Sequence, residues 1–373
     1  MDRNKAVGIS GLLAALVFLL ALLLGFDPTG ILGELEEMEE ITLPPGPPVA
    51  VNAPPGEWYE LYFTDPGCPP EAQRVNGLDQ IIADDMLTAV SSLDIAAFEL
   101  SSRPITDALI ALEARGVALR VVIDADYEDE LSVRRLRNAG VSVITDDRGA
   151  LMHNKFIVID RRIVWTGSLN YTSNGAFCNN NNAARFDLPA LAANYRAEMD
   201  EMVDERSFGP TSPLNTPAER LMVGDILLEN YFAPERSLSP LLAEAVAGAR
   251  QEVLFMAFAF TDDAIGAAML GRARSGITVR GVFETSGATT EFSEYGAMIN
   301  AGPDNLQVRR DGNPRLMHHK VIIIDRETVV FGSYNFSESA NSANDENLVI
   351  VHDPEFAGYF VEEFEAVWAE AAP

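Results

Sequence analysis

The chain is poor in cysteine and histidine, and this scarcity limits the metal chemistry that it can support. Its 373 residues include two cysteines and four histidines, with no Cys-x-x-Cys pair and no Cys/His cluster. These features argue against a structural zinc site, whose ligands occur at short and regular spacings. Cys68 and Cys178 would form one disulfide in an exported chain, and two free or buried thiols are the alternative.

Basic residues are scarce relative to acidic ones. The chain has 27 Lys and Arg against 56 Asp and Glu, so its net charge is −29. Such a charge argues against a protein that holds nucleic acid through a broad basic surface. A local basic cleft and ordinary surface arginines both remain open, because arginines flank the two segments described next. These arginines are Arg148, Arg161, Arg162, Arg185, Arg309, Arg310, Arg315 and Arg326.

One short pattern occurs twice in the chain, and it reads His-x-Lys-x4-Asp followed by Gly-Ser-x-Asn. The members of the first copy are His153, Lys155, Asp160, Ser168 and Asn170, and those of the second are His318, Lys320, Asp325, Ser333 and Asn335. Each member of the first copy has its counterpart 165 positions later (318 − 153), and two of the four histidines occupy matched positions. The match indicates a duplicated site rather than an accidental pattern.

The residues between the motif lysine and aspartate predict a buried strand in both copies. Residues 156–159 and 321–324 are apolar and mostly β-branched, as in strands that are covered on both faces. Residues two apart in a strand share a face, so each motif histidine points the same way as its lysine. Asp160 and Asp325 have the opposite parity; we count them with the catalytic set of the motif, in a structural or supporting role rather than in contact with substrate. A second strand then delivers the motif serine and asparagine.

These residue types suit phosphate chemistry. A neutral imidazole supplies a nucleophile, and an ammonium, a hydroxyl and an amide supply donors for developing oxyanion charge. We therefore predict that both histidine–lysine pairs are catalytic and that the motif serine and asparagine bind phosphate. An incidental histidine and lysine in a buried strand would explain one copy, but not two copies with the same second motif.

Both copies resemble the HKD motif of the phospholipase D superfamily at every named position. That family includes phospholipases D, cardiolipin synthases, bacterial endonucleases of the same fold and phosphatidylserine synthases. The resemblance covers nearly everything after about residue 57. It implies an α/β fold of two duplicated lobes related by a pseudo-twofold axis, with His153 and His318 on opposite sides of one phosphate. A monomer would then be sufficient for the active site.

The resemblance also implies a mechanism. One histidine would form a phosphohistidine, and the other would act as general acid toward the leaving group and then as base toward water. Lys155, Lys320, Asn170 and Asn335 would hold the non-bridging oxygens. The reaction would therefore require no metal and no other cofactor.

One position that differs between the copies suggests which histidine attacks. Thirteen residues after the motif serine stand Asn181 in the first copy and Glu346 in the second. In relatives this position is often acidic and bonds the motif histidine. We expect Glu346 to lie beside His318 and to favour its charged form, whereas Asn181 would leave His153 neutral. His153 would then be the nucleophile and His318 the acid, and the reversed roles are the alternative.

Both halves show the same order of predicted elements. Strands and helices precede each motif in the order βαβαβ, and Ala97-Phe98 is echoed by Ala257-Phe258. We predict in each half a mostly parallel sheet with helices on both faces. The predicted division is an N-terminal transmembrane anchor (1–26), an acidic and Pro-rich linker (27–56), the first lobe (57–206), an inter-lobe linker (207–225) and the second lobe (226–373).

The N-terminal segment favours attachment to a membrane. Residues 6–26 carry no charge, and their length fits a transmembrane helix, which needs ~20 apolar residues. The end of this segment is a poor cleavage site, so an uncleaved signal anchor is favoured over a cleaved signal peptide. Basic residues before it and glutamates after it predict a single-pass protein of the cell membrane with an extracytoplasmic catalytic part. A secreted protein is the alternative if the segment is cleaved.

Three functions are compatible with these features. The first is a membrane-anchored phosphodiesterase that hydrolyses or transfers phospholipid headgroups, and the second is an endonuclease that uses the same histidines on nucleic acid. The third is an inactive binding protein, which two intact motifs disfavour. His319 has the opposite strand parity from His318 and is predicted to pack in the core, and His352 is predicted to lie in a turn.

Overall fold

The protein is described by a computed structural model for residues 44–51 and 58–371. The predicted anchor 1–26 and most of the predicted linker 27–56 therefore lie outside the described residues. Within the described part of the chain, no helix is both long enough and apolar enough to cross a membrane.

The strands are numbered in chain order. They are β1 (Val49–Val51), β2 (Tyr59–Phe63), β3 (Ser92–Ala97), β4 (Ala118–Ile123), β5 (Val143–Thr145), β6 (Lys155–Ile159), β7 (Ile163–Gly167), β8 (Asn179–Asn180), β9 (Asn182–Asp187), β10 (Arg220–Val223), β11 (Ile226–Ala233), β12 (Glu252–Ala257), β13 (Thr278–Phe283), β14 (Leu306–Arg310), β15 (Leu316–Met317), β16 (Lys320–Ile324), β17 (Thr328–Gly332) and β18 (Glu346–His352).

The helices follow the same numbering. They are α1 (Leu78–Met86), α2 (Arg103–Ala114), α3 (Leu131–Asn138), α4 (Ser173–Phe177), α5 (Pro189–Asp200), α6 (Ser239–Ala247), α7 (Asp263–Arg274), α8 (Glu294–Ala301), α9 (Glu338–Ser342) and α10 (Pro354–Glu370). A π-helical turn, Glu201–Glu205, continues α5.

The helix ends follow from local chemistry that the sequence contains. Ser102 accepts a hydrogen bond from the amide of Ile105 at the start of α2, and Asp262 does the same for the first amides of α7. Such caps satisfy amides that have no partner within the helix. Gly116 and Gly276 follow α2 and α7 with φ of 77° and 91°, a backbone region that glycine adopts readily. Both glycines were predicted as helix stops.

The sheets show that the chain is duplicated. The first sheet has the order β2-β9-β7-β6-β3-β4-β5, and the second has the order β1-β10-β11-β18-β17-β16-β12-β13-β14. The last six strands of each sheet occur in the same order and carry the motif on β6 or β16. The predicted two-lobe α/β architecture is therefore present in the described residues.

The prediction of mostly parallel sheets was wrong, because both sheets are mixed. β3, β4 and β5 are parallel to one another, but β6 is antiparallel to β3 and β7 is antiparallel to β6. A three-residue connection, Asp160–Arg162, joins β6 to β7, and its residues Asp160 and Arg161 have φ of 50° and 58°. Two consecutive positive φ values are typical of tight hairpin turns, which force the motif strands to run antiparallel.

Each sheet has helices on its outer face and the other lobe on its inner face. α1, α2 and α3 cover the first sheet, and α6, α7 and α8 cover the second. Between the sheets lies a shared core with α5 and α10, where the rings of Phe186 and Phe331 are 6.5 Å apart. A buried phenylalanine of this kind contributes about 3–5 kcal/mol when it is compared with alanine. The shared core holds the two motif strands in a fixed relation.

Two short strands fall inside segments that we predicted as linkers. Val49–Val51 pairs in parallel with Arg220–Val223 at the edge of the second sheet, and Arg220–Val223 pairs in turn with β11. The segments 27–56 and 207–225 therefore each contribute a strand, and the second sheet begins before residue 226. Nearby prolines and glycines concealed these strands in the sequence.

Candidate active site

The two motif segments contact each other across the boundary between the lobes. The amide of His153 donates to the carbonyl of Asp345 (2.9 Å), and the amide of His318 donates to the carbonyl of Asn180 (2.9 Å). β8 pairs with β15, and Met152 forms the matching bridge with Asp345. The backbone of each lobe therefore fixes the motif histidine of the other lobe.

The side-chain partners of the histidines are also exchanged between the lobes. Nδ1 of His153 lies 2.7 Å from Oε2 of Glu346, and Nδ1 of His318 lies 2.9 Å from Oδ1 of Asn181. Our prediction that Glu346 lies beside His318 and Asn181 beside His153 was therefore wrong. Sequence proximity suggested a partner within the same copy. However, Asn181 follows β8 and Glu346 begins β18 at the boundary between the lobes, and each side chain contacts the histidine of the opposite lobe.

The hydrogen bonds define which ring nitrogen is available to a substrate. Nδ2 of Asn181 donates to the carbonyl of Gly175 (3.1 Å), so its Oδ1 faces His318. An amide oxygen only accepts, and therefore Nδ1 of His318 carries the proton and Nε2 is the reactive nitrogen. The carboxylate of Glu346 fixes His153 in the same way. Burial raises the pKa of Glu346 to about 7, although the neighbouring ammonium groups oppose this shift.

The motif serines support the histidine partners and do not point at a phosphate. Oγ of Ser168 donates to Oδ1 of Asn181 (3.0 Å), and Oγ of Ser333 donates to Oε2 of Glu346 (2.6 Å). Both serines are fully buried. We had predicted that Ser168 and Ser333 bind phosphate, and this prediction was wrong. Their hydroxyls hold Asn181 and Glu346 in place, and these two side chains in turn orient the imidazoles.

The motif lysines are held in one position by the protein itself. Nζ of Lys155 donates to the carbonyl of His153 (2.8 Å), and Nζ of Lys320 donates to that of His318 (3.0 Å). Each ammonium also lies over an aromatic ring, Phe98 at 4.9 Å and its counterpart in the second lobe at 4.6 Å. Such cation–π contacts favour the charged form. Each ammonium keeps further N–H donors for a phosphate oxygen.

Electrostatic coupling joins the two lobes into one site. Burial lowers the pKa of Lys155 to about 7. The pKa of Lys320 is lowered well below its ordinary value, first by burial and then by the charge of Lys155. Burial, followed by the two ammonium groups, also lowers the pKa of His153. The same causes, with the charge of His153 in addition, lower the pKa of His318. Each group senses charges of the other lobe, so the two histidine–lysine pairs share one buried pocket.

Two asparagines retain unused hydrogen-bonding capacity. Asn170 and Asn335 follow β7 and β17, and Oδ1 of each is buried with no hydrogen-bond partner in the described residues. Each of these strands ends in a glycine because a Cβ has no room there. A Cβ at Gly167 would collide with the carbonyl of Asn182, and a Cβ at Gly332 would collide with the carbonyl of Asn347. Buried polar atoms normally have a partner, and the amide nitrogen of each asparagine is the atom that can donate to a phosphate oxygen.

The motif aspartates lie at the far end of the motif strands and hold the sheet together. Asp160 accepts hydrogen bonds from the amides of Val90, Ser91 and Ser92. Asp325 does the same for the amides of residues 250–252. Burial opposes ionisation, but these hydrogen bonds lower the pKa of Asp160 to about 2. Both aspartates therefore act as structural residues, as their parity indicated, and they do not belong with the catalytic histidines and lysines.

A second polar layer lies behind the motif strands, and sequence reasoning missed it. In the second lobe, His319 bonds Asn182 (2.9 Å) and Glu363 (2.9 Å). His319 is fully buried, as predicted, but its contacts are polar and one of them crosses the lobe boundary. In the first lobe, Asn154 contacts Asn347 (3.1 Å) and Glu198 (2.7 Å) in the matching way. The offset of 165 residues relates Glu198 to Glu363 and could have revealed this layer.

Four of the eight arginines near the motifs pair with carboxylates. Arg148 pairs with Asp345, Arg162 with Asp187, Arg185 with Asp85 and Arg326 with Glu252. These four positive charges are balanced by carboxylates of the protein. His352 ends β18 rather than lying in a turn, and its ring bonds Thr328 and Glu229.

Cys68 and Cys178 form a disulfide, so the alternative of two free thiols does not hold. The bond ties the segment after β2 to the residues just before β8. Asn181, which contacts His318, stands three residues after Cys178. The disulfide therefore closes a long loop near a residue that orients a catalytic ring.

Reduction of this disulfide is expected to lower stability. The bridge closes 110 residues of chain, and its loss should lower the free energy of unfolding by about 2–5 kcal/mol through the entropy of the unfolded chain. Chemical unfolding with and without a thiol reductant measures the effect. The double variant Cys68→Ser/Cys178→Ser is the control and should no longer respond to reductant. An unchanged midpoint for the wild-type protein would contradict the expectation.

The depressed pKa values predict that anion binding takes up protons. Lys155 has a pKa of about 7 in the free site, and a bound dianion should raise it. Sulfate is a suitable probe because it mimics phosphate and stays dianionic. Its affinity should fall as the pH rises from about pH 7 to pH 9, by about tenfold per pH unit for each proton that is taken up on binding. Calorimetry in buffers of different ionisation enthalpy measures the uptake. Affinity that is independent of pH would refute the linkage, and Lys155→Gln should weaken the dependence.

Comparison with known proteins agrees with this geometry. A family profile described as "Cardiolipin synthase, PLD-like domain" matches residues 82–203 and 242–368, one segment in each lobe. The mitochondrial cardiolipin hydrolase of Homo sapiens is 35% identical over 139 residues, which are 37% of this chain and 54% of that protein. A phospholipase D of Rickettsia felis is 29% identical over 164 residues, 43% of this chain and 79% of that protein. Phosphatidylserine synthase from Haemophilus influenzae has a similar structure, with a TM-score of 0.60 and 12% identity over 83% of this chain and 85% of that one.

Two duplicated α/β lobes that join two HKD motifs in one pocket define a protein of the phospholipase D type. The profile covers well over half of the chain, and the chain therefore belongs to the phospholipase D superfamily, in its PLD-like domain family. The chain spans about half the length of the human cardiolipin hydrolase that it matches. The likeness to the synthase, at 12% identity, concerns the fold.

Proposed function

We propose that the chain is a phospholipase D-like phosphodiesterase that acts through a phosphohistidine and needs no metal for the chemical step. The observation that supports this most strongly is the exchange of histidine partners between the lobes. It orients one reactive Nε2 from each lobe toward a pocket that also contains two buried ammonium groups. A nucleophile, a general acid and donors for the oxyanion are then available together.

The partners of the two histidines favour His153 as the nucleophile. The imidazole that attacks phosphorus becomes cationic, and the carboxylate of Glu346 beside His153 stabilises that charge. The other imidazole must release a proton, and the amide of Asn181 stabilises a cationic ring less than a carboxylate does. We had also expected His153 to be the nucleophile, but for a different reason. That expectation assumed that Asn181 would leave His153 neutral, whereas here the carboxylate of Glu346 stabilises the charge that His153 gains.

The reaction then proceeds in two displacements. His318 enters the first step with a proton on each ring nitrogen. Nε2 of His153 attacks phosphorus, the bond from phosphorus to the leaving oxygen breaks, and Nε2 of His318 donates its proton to this oxygen. Water next attacks the phosphohistidine while His318 accepts a proton from it, and the phosphorus–nitrogen bond breaks. The ammonium groups of Lys155 and Lys320, with the amides of Asn170 and Asn335, hold the non-bridging oxygens. An alcohol in place of water would give transfer instead of hydrolysis.

A phospholipid is the substrate that the surface favours. The net charge of −29 and the pairing of arginines near the motifs with carboxylates disfavour a polyanionic nucleic acid. The relatives named phospholipase D and cardiolipin hydrolase support a lipid phosphodiester. A predicted anchor at residues 6–26 would hold the site near a bilayer.

An endonuclease remains the second candidate. Its support is the compactness of the lobes, which lack long insertions between the shared strands in the described residues. The same chemistry would cleave a nucleic-acid phosphodiester, because the pocket reads only phosphate.

We also propose that the catalytic part is extracytoplasmic, with the chain anchored once in the cell membrane. The disulfide between Cys68 and Cys178 supports export, because such bonds persist in oxidising compartments. Membrane fractionation, followed by protease accessibility in intact cells, tests this placement. A chain that stays soluble and protected inside the cell would contradict it.

A direct assay tests the activity. The full chain in detergent is incubated with phosphatidylcholine, cardiolipin and single-stranded DNA, each with and without EDTA. Release of a headgroup without DNA cleavage is the expected result, and EDTA should not stop turnover at moderate temperature. DNA cleavage alone would favour the endonuclease, and no reaction on any phosphodiester would favour an inactive binding protein.

A further inference from the structure

Three glutamates form a buried cluster behind the first motif strand. Glu198 lies near the end of α5, Glu201 begins the π-helical turn, and Glu235 follows β11. One carboxylate oxygen from each lies within 4.8 Å of the others. Glu198 and Glu201 are each only 2% exposed, so the cluster is not an ordinary acidic surface.

Several oxygen atoms in this cluster have no partner. Oε2 of Glu201 and Oε2 of Glu235 are buried and make no hydrogen bond in the described residues, and the same holds for Oγ of Ser212, which lies beside Glu201. Buried oxygen atoms of native proteins normally have a partner. Glu201 is thus a buried side chain aimed into a group of like charges, with Asn215 and Ser212 as polar neighbours but with no well-formed hydrogen bond to its Oε2 in the described residues.

The electrostatics of the cluster call for a positive charge. The charged groups that act most strongly on Glu198 are all carboxylates, Glu235, Glu201 and Asp345. Burial, followed by the charge of Glu235, raises the pKa of Glu201 to about 8, and burial raises the pKa of Glu235 to about 7. Buried carboxylates are normally paired with a cation or coordinate a metal.

The repeat shows that the cluster is not part of the shared architecture. The offset of 165 residues places Glu363 at the position of Glu198 and Ala366 at the position of Glu201. Glu363 bonds the ring of His319 and so has a partner of its own. The second copy therefore lacks the carboxylate that Glu201 adds beside the first motif strand, so the cluster is particular to that side of the molecule.

We infer that Glu198, Glu201 and Glu235 bind one hard divalent cation, of which calcium is the best fit, at a structural site separate from the catalytic pocket. Calcium takes carboxylate and hydroxyl oxygens at about 2.3–2.6 Å, so oxygens around one ion lie up to about 5 Å apart. The three carboxylate oxygens lie within 4.8 Å of one another, which agrees with this spacing. The hydroxyl of Ser212 is available as a further oxygen ligand.

The site would stabilise the lobe boundary. Oε1 of Glu198 accepts from Asn154 (2.7 Å), which neighbours His153 and bonds Asn347 of the other lobe (3.1 Å). A cation would also join the end of α5 to the segment after β11, which belongs to the second sheet. It takes no part in the chemical step, and its loss should lower the melting temperature without stopping turnover well below that temperature.

Metal analysis and melting curves test the site. The full chain in detergent is analysed by mass spectrometry for bound metal, stripped with EDTA and titrated with calcium chloride. We expect about one calcium ion per chain and a rise of about 3–6 °C in melting temperature at saturation. Terbium should bind in competition with calcium, with luminescence sensitised by Tyr195, which stands one turn before Glu198 on α5.

Two variants separate binding from folding. Glu201→Gln should abolish the response to calcium, yet its metal-free form should melt no lower than metal-free wild type, because the raised pKa leaves Glu201 largely uncharged without a metal and glutamine keeps its shape. Glu235→Gln should behave in the same way if Glu201→Gln does not fold. Asp204→Asn, which removes an exposed charge from the same turn, should keep the full response. An absent calcium response in the wild type, or a response as large as that of the wild type in both Glu201→Gln and Glu235→Gln, overturns the inference.

Discussion

Replacement of His153 by asparagine is expected to lower kcat by at least about 10⁴-fold, because the nucleophile is lost. Replacement of His318 should be equally damaging for a lipid substrate, since the leaving alkoxide then takes up no proton. The two variants should differ with an aryl phosphodiester, whose leaving group needs little protonation. His318→Asn should then form the phosphohistidine and fail to hydrolyse it, whereas His153→Asn should form none.

Trapping of the labelled enzyme distinguishes the two histidines. His318→Asn is mixed with radiolabelled aryl phosphodiester, quenched and digested, and the labelled peptide is expected to contain His153. The matched control is His352→Gln, which replaces a partly exposed histidine outside the pocket and should retain wild-type turnover. A label on His318 in the His153→Asn enzyme would reverse the assignment, and a label on neither would remove the covalent mechanism.

Replacement of Glu346 by glutamine is expected to slow formation of the phosphohistidine by about 10²–10³-fold. The substitution keeps the shape of a fully buried side chain but removes the charge that stabilises the cationic ring of His153. Single-turnover kinetics with the aryl substrate measure this step. Ser333→Ala is the matched control, because it removes one hydrogen bond to Glu346 and leaves the carboxylate, and it should cost about tenfold at most.

The reciprocal variant Asn181→Asp places a carboxylate beside His318. A negative charge favours the protonated ring, so the pKa of His318 should rise and the alkaline limb of kcat/KM should move to higher pH. Glu346→Gln should leave that limb unchanged and lower the rate at every pH. Opposite behaviour of the two variants would show that His153 is the acid and His318 the nucleophile.

The sequence was most informative where a residue acts through its own strand or helix end. Alternation along β6 put His153 and Lys155 on one face and Asp160 on the other, and the structure has this arrangement. Gly116 and Gly276 ended their helices as predicted, because their conformation is a local property. The duplication was also visible, since an offset of 165 residues survives in the spacing of the motif residues.

The sequence was least informative where a contact crosses between the lobes. Glu346 and His318 belong to the same copy, and nothing in their spacing indicates that Glu346 reaches His153 instead. Ser168 and Ser333 have the chemistry of phosphate ligands, and only their packing shows that they bond Asn181 and Glu346. The antiparallel pairing of β6 with β3 likewise depends on how the chain returns to the sheet between β5 and β6, which the residue pattern did not define.

The sequence by itself determined the class of the protein, the duplicated lobes, and the histidines and lysines that the chemistry requires. These properties depend on residue type and on spacing along one strand, which covalent geometry converts directly into a shared face. Only the tertiary structure decided which side chain orients which histidine, what the serines do and where the buried glutamates meet. The histidine contacts join residues more than 100 positions apart, and the serine and glutamate contacts join different elements of the fold, so all of them form only when the two sheets pack against a shared core.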